Sequence, residues 1–280
     1  MGTTNTTTEA QRQQEITAWE RMEIARHLQR PQLLFYLPRL FEDFIELHGD
    51  RLSGDDPAMI CGIARFEGET VFVVGQQKGV STDEKVARNF GMAHPEGYRK
   101  ALRILLMAAR FGCPVLSFVD TPAAYPGIKA EERGQGMAIA GNLLAMTQVD
   151  VPIFAVVLGE GGSGGALGIA VADYIAMLEY AVYTICPPER CAEILWRNVD
   201  EKKQAAEALR ITAADLLSFG VIDTVISEPD GGAHHAPEEM ILPLAAEIRA
   251  FLKEHKQGAW TLERRRARFR NIGKWHGDEA

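Results

Sequence analysis

The stretch GEGGSGGA at residues 159–166 has the composition and spacing that most clearly suggest chemistry in this chain. Five of its eight residues are glycine, and it lies between two apolar runs, PIFAVVL and LGIAVA. Glycine loses more backbone freedom on folding than any other residue, so a group of glycines inside a core is costly. The group therefore indicates a backbone that must approach a ligand or another backbone closely.

One interpretation of this stretch is dinucleotide binding. Gly159, Gly161 and Gly164 form GxGxxG, and Glu179 lies 20 residues after Gly159, where an acid for the ribose would stand. However, the helix between residues 165 and 173 would have only about nine residues, and a parallel crossover usually needs about ten to twelve or more. A P-loop is excluded, because no GK[ST] follows the glycines.

A second interpretation is a serine hydrolase. Gly161, Ser163 and Gly165 form GxSxG between a strand and a helix, as in a nucleophile elbow with Ser163 as the nucleophile. The order serine, acid, histidine could be completed by acids such as Asp215 and Asp223 and by the histidines at 234–235. The elbow requires only two flanking glycines, and this stretch has a surplus of them.

A third interpretation accounts for every glycine. Without Cβ atoms, successive backbone N–H groups can face one small anionic oxygen, and a short helix beginning in GALGIAVA would add positive potential at its N-terminus. This arrangement is an oxyanion hole made of main chain. A left-handed conformation at Gly162 would be a further reason for glycine there. A tight packing turn with no chemical role is the remaining alternative.

The elements around this stretch predict an α/β fold. Short apolar strands alternate with helical patterns, which is typical of buried, partly parallel sheets whose ligand sites lie at the strand ends. Strands are predicted at 71–74, 115–119, 153–158, 182–186 and 221–226. Helices are predicted at 97–110, 130–147, 188–197, 201–209, 212–218 and 240–256.

Composition and charge exclude several classes of protein. The 280-residue chain has a formal net charge of −8, which makes a nucleic-acid partner unlikely because phosphate binding needs a basic surface. Its four cysteines form no CxxC, so no zinc ribbon and no bound metal are predicted on this chain. No signal peptide and no transmembrane run is found, which predicts a cytoplasmic protein with no membrane partner.

Five motifs in order along the chain resemble the carboxyltransferase α subunit family of multi-subunit acetyl-CoA carboxylase. They are RPQLLFYLPRLFEDFIELHGDR, NFGMAHPEGYRKALR, TPAAYPGIKAEERGQ, VVLGEGGSGGALGIAVAD and GGAH, and the resemblance extends from about residue 19 to about residue 272. It implies a crotonase-like superhelix of ββα units with an N-terminal helical arm and a C-terminal helix. The chain would then divide into a disordered tail (1–14), the helical arm (15–50), the carboxyltransferase core (51–257) and a basic tail (258–280).

The resemblance also implies the reaction and the partners. The carboxyl group of carboxybiotin, carried on a separate biotin carboxyl carrier protein, would pass to acetyl-CoA and give malonyl-CoA for fatty acid biosynthesis. A β subunit with a zinc ribbon would complete an α₂β₂ assembly, and biotin carboxylase would belong to the wider complex. The absence of a Met-Lys-Met sequence agrees with biotin being a visiting substrate on this chain.

Site residues follow from the resemblance alone. It assigns the oxyanion site to Gly161, Gly162, Gly164 and Gly165, the biotin pocket to Tyr125, Pro126, Gly127 and Ala166, and contacts with CoA to Lys78, Lys85 and Arg88. The sequence departs from the family pattern at Gln76, where histidine is expected, at Ala123, where glycine is expected, and at Gly136 and Gly141, where serine and arginine are expected. These departures leave another acyl-CoA, such as propionyl-CoA, as an alternative substrate.

Overall fold

A single mixed sheet organises the computed structural model, which describes residues 16–273. The tail predicted at 1–14 and the last seven residues of the basic tail lie outside the described residues. Eight strands form in the described part of the chain: β1 (Glu42–Glu46), β2 (Met59–Phe66), β3 (Glu69–Gln76), β4 (Val115–Thr121), β5 (Ile153–Gly162), β6 (Tyr174–Leu178), β7 (Val182–Thr184) and β8 (Thr224–Ile226).

The sheet has the strand order β1-β2-β3-β4-β5-β6-β8. β1, β2 and β3 pair antiparallel, and every later pairing is parallel. β4 and β5 are buried along their whole length, which explains why both are nearly continuous apolar runs. The first half of β5 pairs with β6, whereas its last three residues pair with β7, so β5 continues past the main sheet toward the glycine-rich stretch.

Helices surround this sheet, and the α/β prediction is confirmed. Their bounds are α1 (Ala18–Ala25), α2 (Leu33–Leu40), α3 (Thr82–Ala87), α4 (Pro95–Phe111), α5 (Ile128–Glu132), α6 (Gln135–Met146), α7 (Ser163–Leu167), α8 (Pro188–Trp196), α9 (Lys202–Leu209), α10 (Ala213–Ser218), α11 (Ile241–Lys256) and α12 (Leu262–Asn271). Short 3₁₀ turns lie at Asn89–Gly91, Val199–Glu201 and Pro237–Met240. Within residues 16–273, no helix combines the length and the apolar character needed to cross a membrane.

Several predicted bounds are wrong. The helix predicted at 130–147 is two helices, because Gly134 with φ of 82° separates α5 from α6. The strands predicted at 182–186 and 221–226 are shorter, and β1, β2 and β6 were not predicted at all. β2 was missed because Gly62 and Arg65 interrupt its apolar pattern, and β6 because it is only five residues long.

The segment predicted as a helical arm at 15–50 is part of the core. Leu33, Tyr36 and Leu37 of α2 are at most 3% exposed and pack in the main hydrophobic cluster. The arm is also not helical throughout, because β1 pairs with β2. The apolar residues of α2 therefore pack in the chain's own core.

The basic segment after residue 258 contains one deeply buried arginine. Arg265 of α12 is 2% exposed and makes two hydrogen bonds to the carboxylate of Asp173, at 3.0 and 2.5 Å. Its guanidinium also donates to the carbonyl oxygens of Met146, Val149 and Val151. This arginine therefore anchors α12 to the turn before β5, although most other residues of the helix are exposed or half-buried.

Replacing Arg265 with methionine should lower the free energy of unfolding by about 3–5 kcal/mol, because Asp173 and three carbonyl groups would lose a buried partner. Urea unfolding of the purified chain measures this loss. Arg270→Ala, on the exposed face of the same helix, is the matched control and should change stability by less than about 0.5 kcal/mol. Equal effects of the two substitutions would show that α12 is peripheral to folding.

Candidate functional site

Three parallel strands bring three polar segments to one edge of the sheet. β3 ends at Gln76, β4 ends at Thr121 and β5 ends at Gly162, and the pairing is β3 with β4 and β4 with β5. The carboxyl ends of parallel strands are where α/β folds place ligand sites. The loop at residues 121–127 and the glycine-rich turn at 159–165 therefore face each other at the position expected for a site.

The glycine-rich turn is a direct junction between β5 and α7. Gly159, Gly161 and Gly162 belong to the strand, and Gly164 and Gly165 lie in the first turn of the helix. The expectation of a left-handed Gly162 is wrong, since its φ is −96°. Ser163 takes the left-handed conformation instead, with φ of 54°.

Glycine is required at two of these positions because another backbone lies against them. A Cβ atom on Gly162 would collide with the carbonyl group of Pro122, and one on Gly165 would collide with the backbone of Ala123 and Ala124. Gly164 differs, because the nearest atom to a Cβ there would be Ile139 Cδ1 at 4.0 Å. The loop at 121–127 thus packs directly on the turn, with no side chain between the two main chains.

Two amide groups in this turn have no protein acceptor. The N–H groups of Gly164 and Gly165 lie in the first turn of α7, where a helix supplies no acceptor, and neither donates to another residue within 16–273. The amide nitrogen of Ala124 lies against Gly165 and likewise donates to no described residue. Sequence patterns did not identify Ala124, because only the fold brings this loop to the turn.

The predicted biotin pocket residues lie on the same loop, except one. The Tyr125 amide donates to the carbonyl of Ala93 at 3.1 Å, and its ring packs on that of His94 with centroids 4.1 Å apart. Pro126 is exposed and Gly127 is half-buried beside the Tyr125 ring. Ala166 is fully buried in the main core, so it packs beneath the surface of the turn and has no exposed area that a ligand could contact.

The predicted CoA contacts are less free than their charges suggest. Lys78 Nζ lies 2.7 Å from Asp120 Oδ1 and 3.2 Å from Glu160 Oε2, so it is already paired twice. Arg88 donates to the carbonyl of Pro57 at 2.6 Å. Lys85 lines an open cleft of about 390 Å³ and has no ion pair with another described residue.

A buried group of charges holds the three strand ends together. Glu160 also pairs with Arg26 at 2.8 Å, and the Glu160 amide donates to Asp120 Oδ1 at 3.0 Å. Burial acts to lower the pKa of Lys78, but the two carboxylates outweigh it and raise that pKa. Burial acts to raise the pKa of Glu160, but Lys78 and Arg26 outweigh it and lower that pKa. Lys78 and Glu160 therefore both keep their charges, and the network is a structural support beside the turn.

Comparison with known proteins places these features in a family. Residues 2–273 match the family model described as acetyl co-enzyme A carboxylase carboxyltransferase-like. The chain belongs to this family. It is 55% identical to the acetyl-coenzyme A carboxylase carboxyl transferase subunit alpha of Geobacter metallireducens, covering 86% of this chain and 76% of the relative. It is 51% identical to a Thermus thermophilus protein of the same name, covering 93% and 83%.

Solved structures show that the crotonase-like fold was correctly predicted. Transcarboxylase 12S superposes with a TM-score of 0.67 at 18% identity, over 87% of this chain and 46% of that one. A chain of the Pseudomonas malonate decarboxylase heterodimer gives a TM-score of 0.59 at 17% identity, over 71% and 82%. At these identities the likeness concerns the fold alone.

Membership of the carboxyltransferase family agrees with the surroundings of Ser163. Its left-handed backbone is a feature that a nucleophile elbow also has. However, no histidine within residues 16–273 hydrogen-bonds to Ser163, which borders a groove with Leu167, Tyr183 and Ile185. His234 instead stacks on His27 of the N-terminal segment, with ring centroids 3.8 Å apart. The hydrolase interpretation lacks a general base.

Alanine at Gly162 should lower the melting temperature and displace the loop at 121–127, because its methyl group would occupy the position of the Pro122 carbonyl. We expect a cost of about 1–3 kcal/mol in unfolding free energy. Gly164→Ala is the matched control for stability, since its methyl group meets open space, and it should cost less than about 1 kcal/mol. Thermal unfolding of both variants decides, and equal stability would mean that the loop does not rest on the turn.

Proposed function

We propose that this chain is the α-type carboxyltransferase subunit of an acetyl-CoA carboxylase, which transfers a carboxyl group from carboxybiotin to acetyl-CoA and forms malonyl-CoA for fatty acid biosynthesis. The observation that carries the proposal is the group of acceptor-free amides at Gly164, Gly165 and Ala124, which lie where the loop at 121–127 packs on a turn that only glycine allows it to approach. Family membership indicates the substrates, and the acceptor-free amides are the groups that would stabilise negative charge during the reaction.

The residues present fit a ligand with a developing oxyanion. A Cβ atom at Gly165 would fill the corner between turn and loop, so glycine at this position lets the Ala124 amide nitrogen lie against Gly165. Carboxybiotin, when bound, supplies the carboxyl group and a nitrogen that can accept the methyl proton of the acceptor. The chain then needs no side-chain base, because its task is to donate N–H groups to the oxygen on which negative charge collects.

The loop at 121–127 contributes the second wall of the same corner in this proposal. Tyr125, Pro126 and Gly127 extend from the Ala124 contact toward solvent, where the biotin of a separate carrier protein would enter. In this proposal the turn contributes N–H donors, and the loop forms one wall of the biotin pocket. Ala123 belongs to the backbone segment that contacts Gly165, and we propose that alanine at this position bears on the choice between acetyl-CoA and propionyl-CoA.

A β subunit is the partner that the proposal requires, and we propose that it carries the zinc ribbon and completes an α₂β₂ assembly. Apolar side chains are exposed close to the turn: Ile185, which lines the same groove as Ser163 and Gly164, is 78% exposed. Ile194 and Leu195 of α8, the helix that follows Ile185 in the chain, are also 72% and 62% exposed. A subunit seated there would bury them and keep water from the site. A cytoplasmic location stays a prediction.

The decisive experiment is reconstitution. The purified chain, mixed with a zinc-ribbon carboxyltransferase subunit from the same organism and supplied with carboxybiotin, should convert acetyl-CoA to malonyl-CoA, and the chain alone should be nearly inactive. Product formation is followed by mass spectrometry, with propionyl-CoA as the competing acceptor. Full activity of the single chain would refute the need for a partner, and preference for propionyl-CoA would refute the acetyl-CoA assignment.

Ser163→Ala in the reconstituted complex should keep at least about a tenth of the transfer rate, because the proposed donors are main-chain groups. Labelling by a serine-directed phosphonate provides the independent measurement, and no adduct at Ser163 is expected. A loss of about 10⁴-fold or more together with labelling would instead establish nucleophilic catalysis.

A further inference from the structure

Gln76 connects the two main chains that form the proposed site. It is the last residue of β3 and is fully buried. Its side-chain Nε2 donates to the carbonyl oxygen of Gly165 at 2.7 Å, and its Oε1 accepts from the amide of Asp120 at 3.1 Å. One side chain thus joins the first turn of α7 to the end of β4, where the loop at 121–127 begins.

Gly165 needs such a tether more than another residue would. Glycine has the widest choice of backbone conformations, so the direction of its N–H group is not fixed by its own geometry. The Gly165 carbonyl receives a second hydrogen bond, from the hydroxyl of Tyr98 at 3.1 Å. Two buried donors on one carbonyl hold the peptide group between Gly165 and Ala166. Through the Gly165 Cα atom they also limit where the Gly165 N–H group, which the proposed function uses, can lie.

We propose that Gln76 is a positioning residue that holds Gly165 and the loop start at Asp120 in the geometry required for carboxyl transfer. The proposal rests on the proposed function. Gln76 does not touch a ligand, and it acts through the two backbones that do. Its amide is suited to this task because it donates and accepts at the same time and carries no charge at any pH.

Two substitutions of similar size would keep one half of this bridge and make the other half depend on pH. Glutamate accepts from the Asp120 amide, but it donates to the Gly165 carbonyl only when protonated, so acid should restore the bridge. Neutral histidine can donate and accept, but protonated histidine cannot accept, so acid should break the bridge. The two variants should therefore respond to pH with opposite signs.

Other ionisable groups around Gln76 must be separated from this effect. They are Tyr98 from α4, whose pKa is raised by burial, and Asp120, Lys78 and Glu160 at the ends of the neighbouring strands. These groups are present in the wild type and in every variant. Division of each variant's pH profile by that of the wild type removes the part of their titration that the substitution leaves unchanged, and the opposite signs expected for the glutamate and histidine variants separate the rest.

The experiment measures kcat and KM for acetyl-CoA in the reconstituted complex between about pH 6 and 9, with melting temperatures at each pH. Gln76→Met should lower kcat by about 10- to 100-fold at every pH and leave KM within about twofold, because positioning of an oxyanion donor acts in the transition state. Relative to wild type, kcat of Gln76→Glu should rise as the pH falls, and kcat of Gln76→His should decline.

Gln77→Met is the matched control. Gln77 is also buried, but its amide bonds to Gln32 at 2.8 Å and to the Leu34 amide at 3.0 Å, away from the turn. This variant should lose stability while its kcat stays within about twofold of wild type with an unchanged pH profile. Equal kcat losses in Gln76→Met and Gln77→Met, or parallel pH profiles for the glutamate and histidine variants, would overturn the proposal.

Amide hydrogen exchange of the isolated full-length chain separates this inference from the proposed function. Gln76→Met should speed exchange in the peptide spanning 159–168 by at least about threefold, and Gln77→Met should leave that peptide unchanged. If the wild-type complex makes no malonyl-CoA, the proposed function fails while this exchange result still tests the tether. Unchanged exchange in Gln76→Met would overturn the positioning role regardless of activity.

Discussion

The contact of one backbone with another, between the loop at 121–127 and the turn at 162–165, is the constraint on which the rest of the structure depends. No side chain fits between them, because a methyl group at Gly162 or Gly165 would occupy the loop's own main chain. The ends of β4 and β5 must therefore keep a fixed register along the sheet. Their parallel pairing, which extends to Thr121 and Gly161, sets this register. The proposed site of main-chain donors depends on this contact, which lies beside the amides of Gly164, Gly165 and Ala124 that have no acceptor within residues 16–273.

Buried charges maintain this register from outside the sheet. Lys78, Asp120 and Glu160 each come from the end of a different central strand, and Arg26 joins them from the segment after α1. Arg30, from the same segment, pairs with Glu228 and donates to the carbonyl of Leu158 in β5. Lys78, which the resemblance assigned to a contact with CoA, thus forms ion pairs with two carboxylates of the chain itself. The N-terminal segment also stabilises the region of the proposed site, because Arg26 and Arg30 contact Glu160 and Leu158 of β5, the strand that leads into the turn.

The sequence was sufficient for the elements that have strong local patterns and for the site that short motifs mark. The buried strands β4 and β5 and the loops after them were predicted because each is an apolar run followed by glycine or proline. The roles of individual residues depended on contacts far apart in the chain. Ala124 and Gln76 contact Gly165 from 41 and 89 residues away, and Arg265 reaches Asp173 from 92 residues away, so no local pattern could reveal them. The further reason considered for glycine at 162, a left-handed conformation, does not apply, because φ cannot be inferred from residue type alone, whereas the close approach of another backbone does apply.

The comparison of Ser163 with a nucleophile elbow shows what decides chemistry at such a junction. A strand that turns sharply into a helix produces a left-handed residue and free amides whether or not a nucleophile is present. In a hydrolase the opposite wall would have to supply a histidine, and here it supplies the backbone of Pro122, Ala123 and Ala124. These backbone groups cannot remove a proton, but they can shape a pocket and add N–H donors. Carboxyl transfer from carboxybiotin suits this wall, because the reaction brings its own proton acceptor and asks of the protein mainly that charge on oxygen be stabilised.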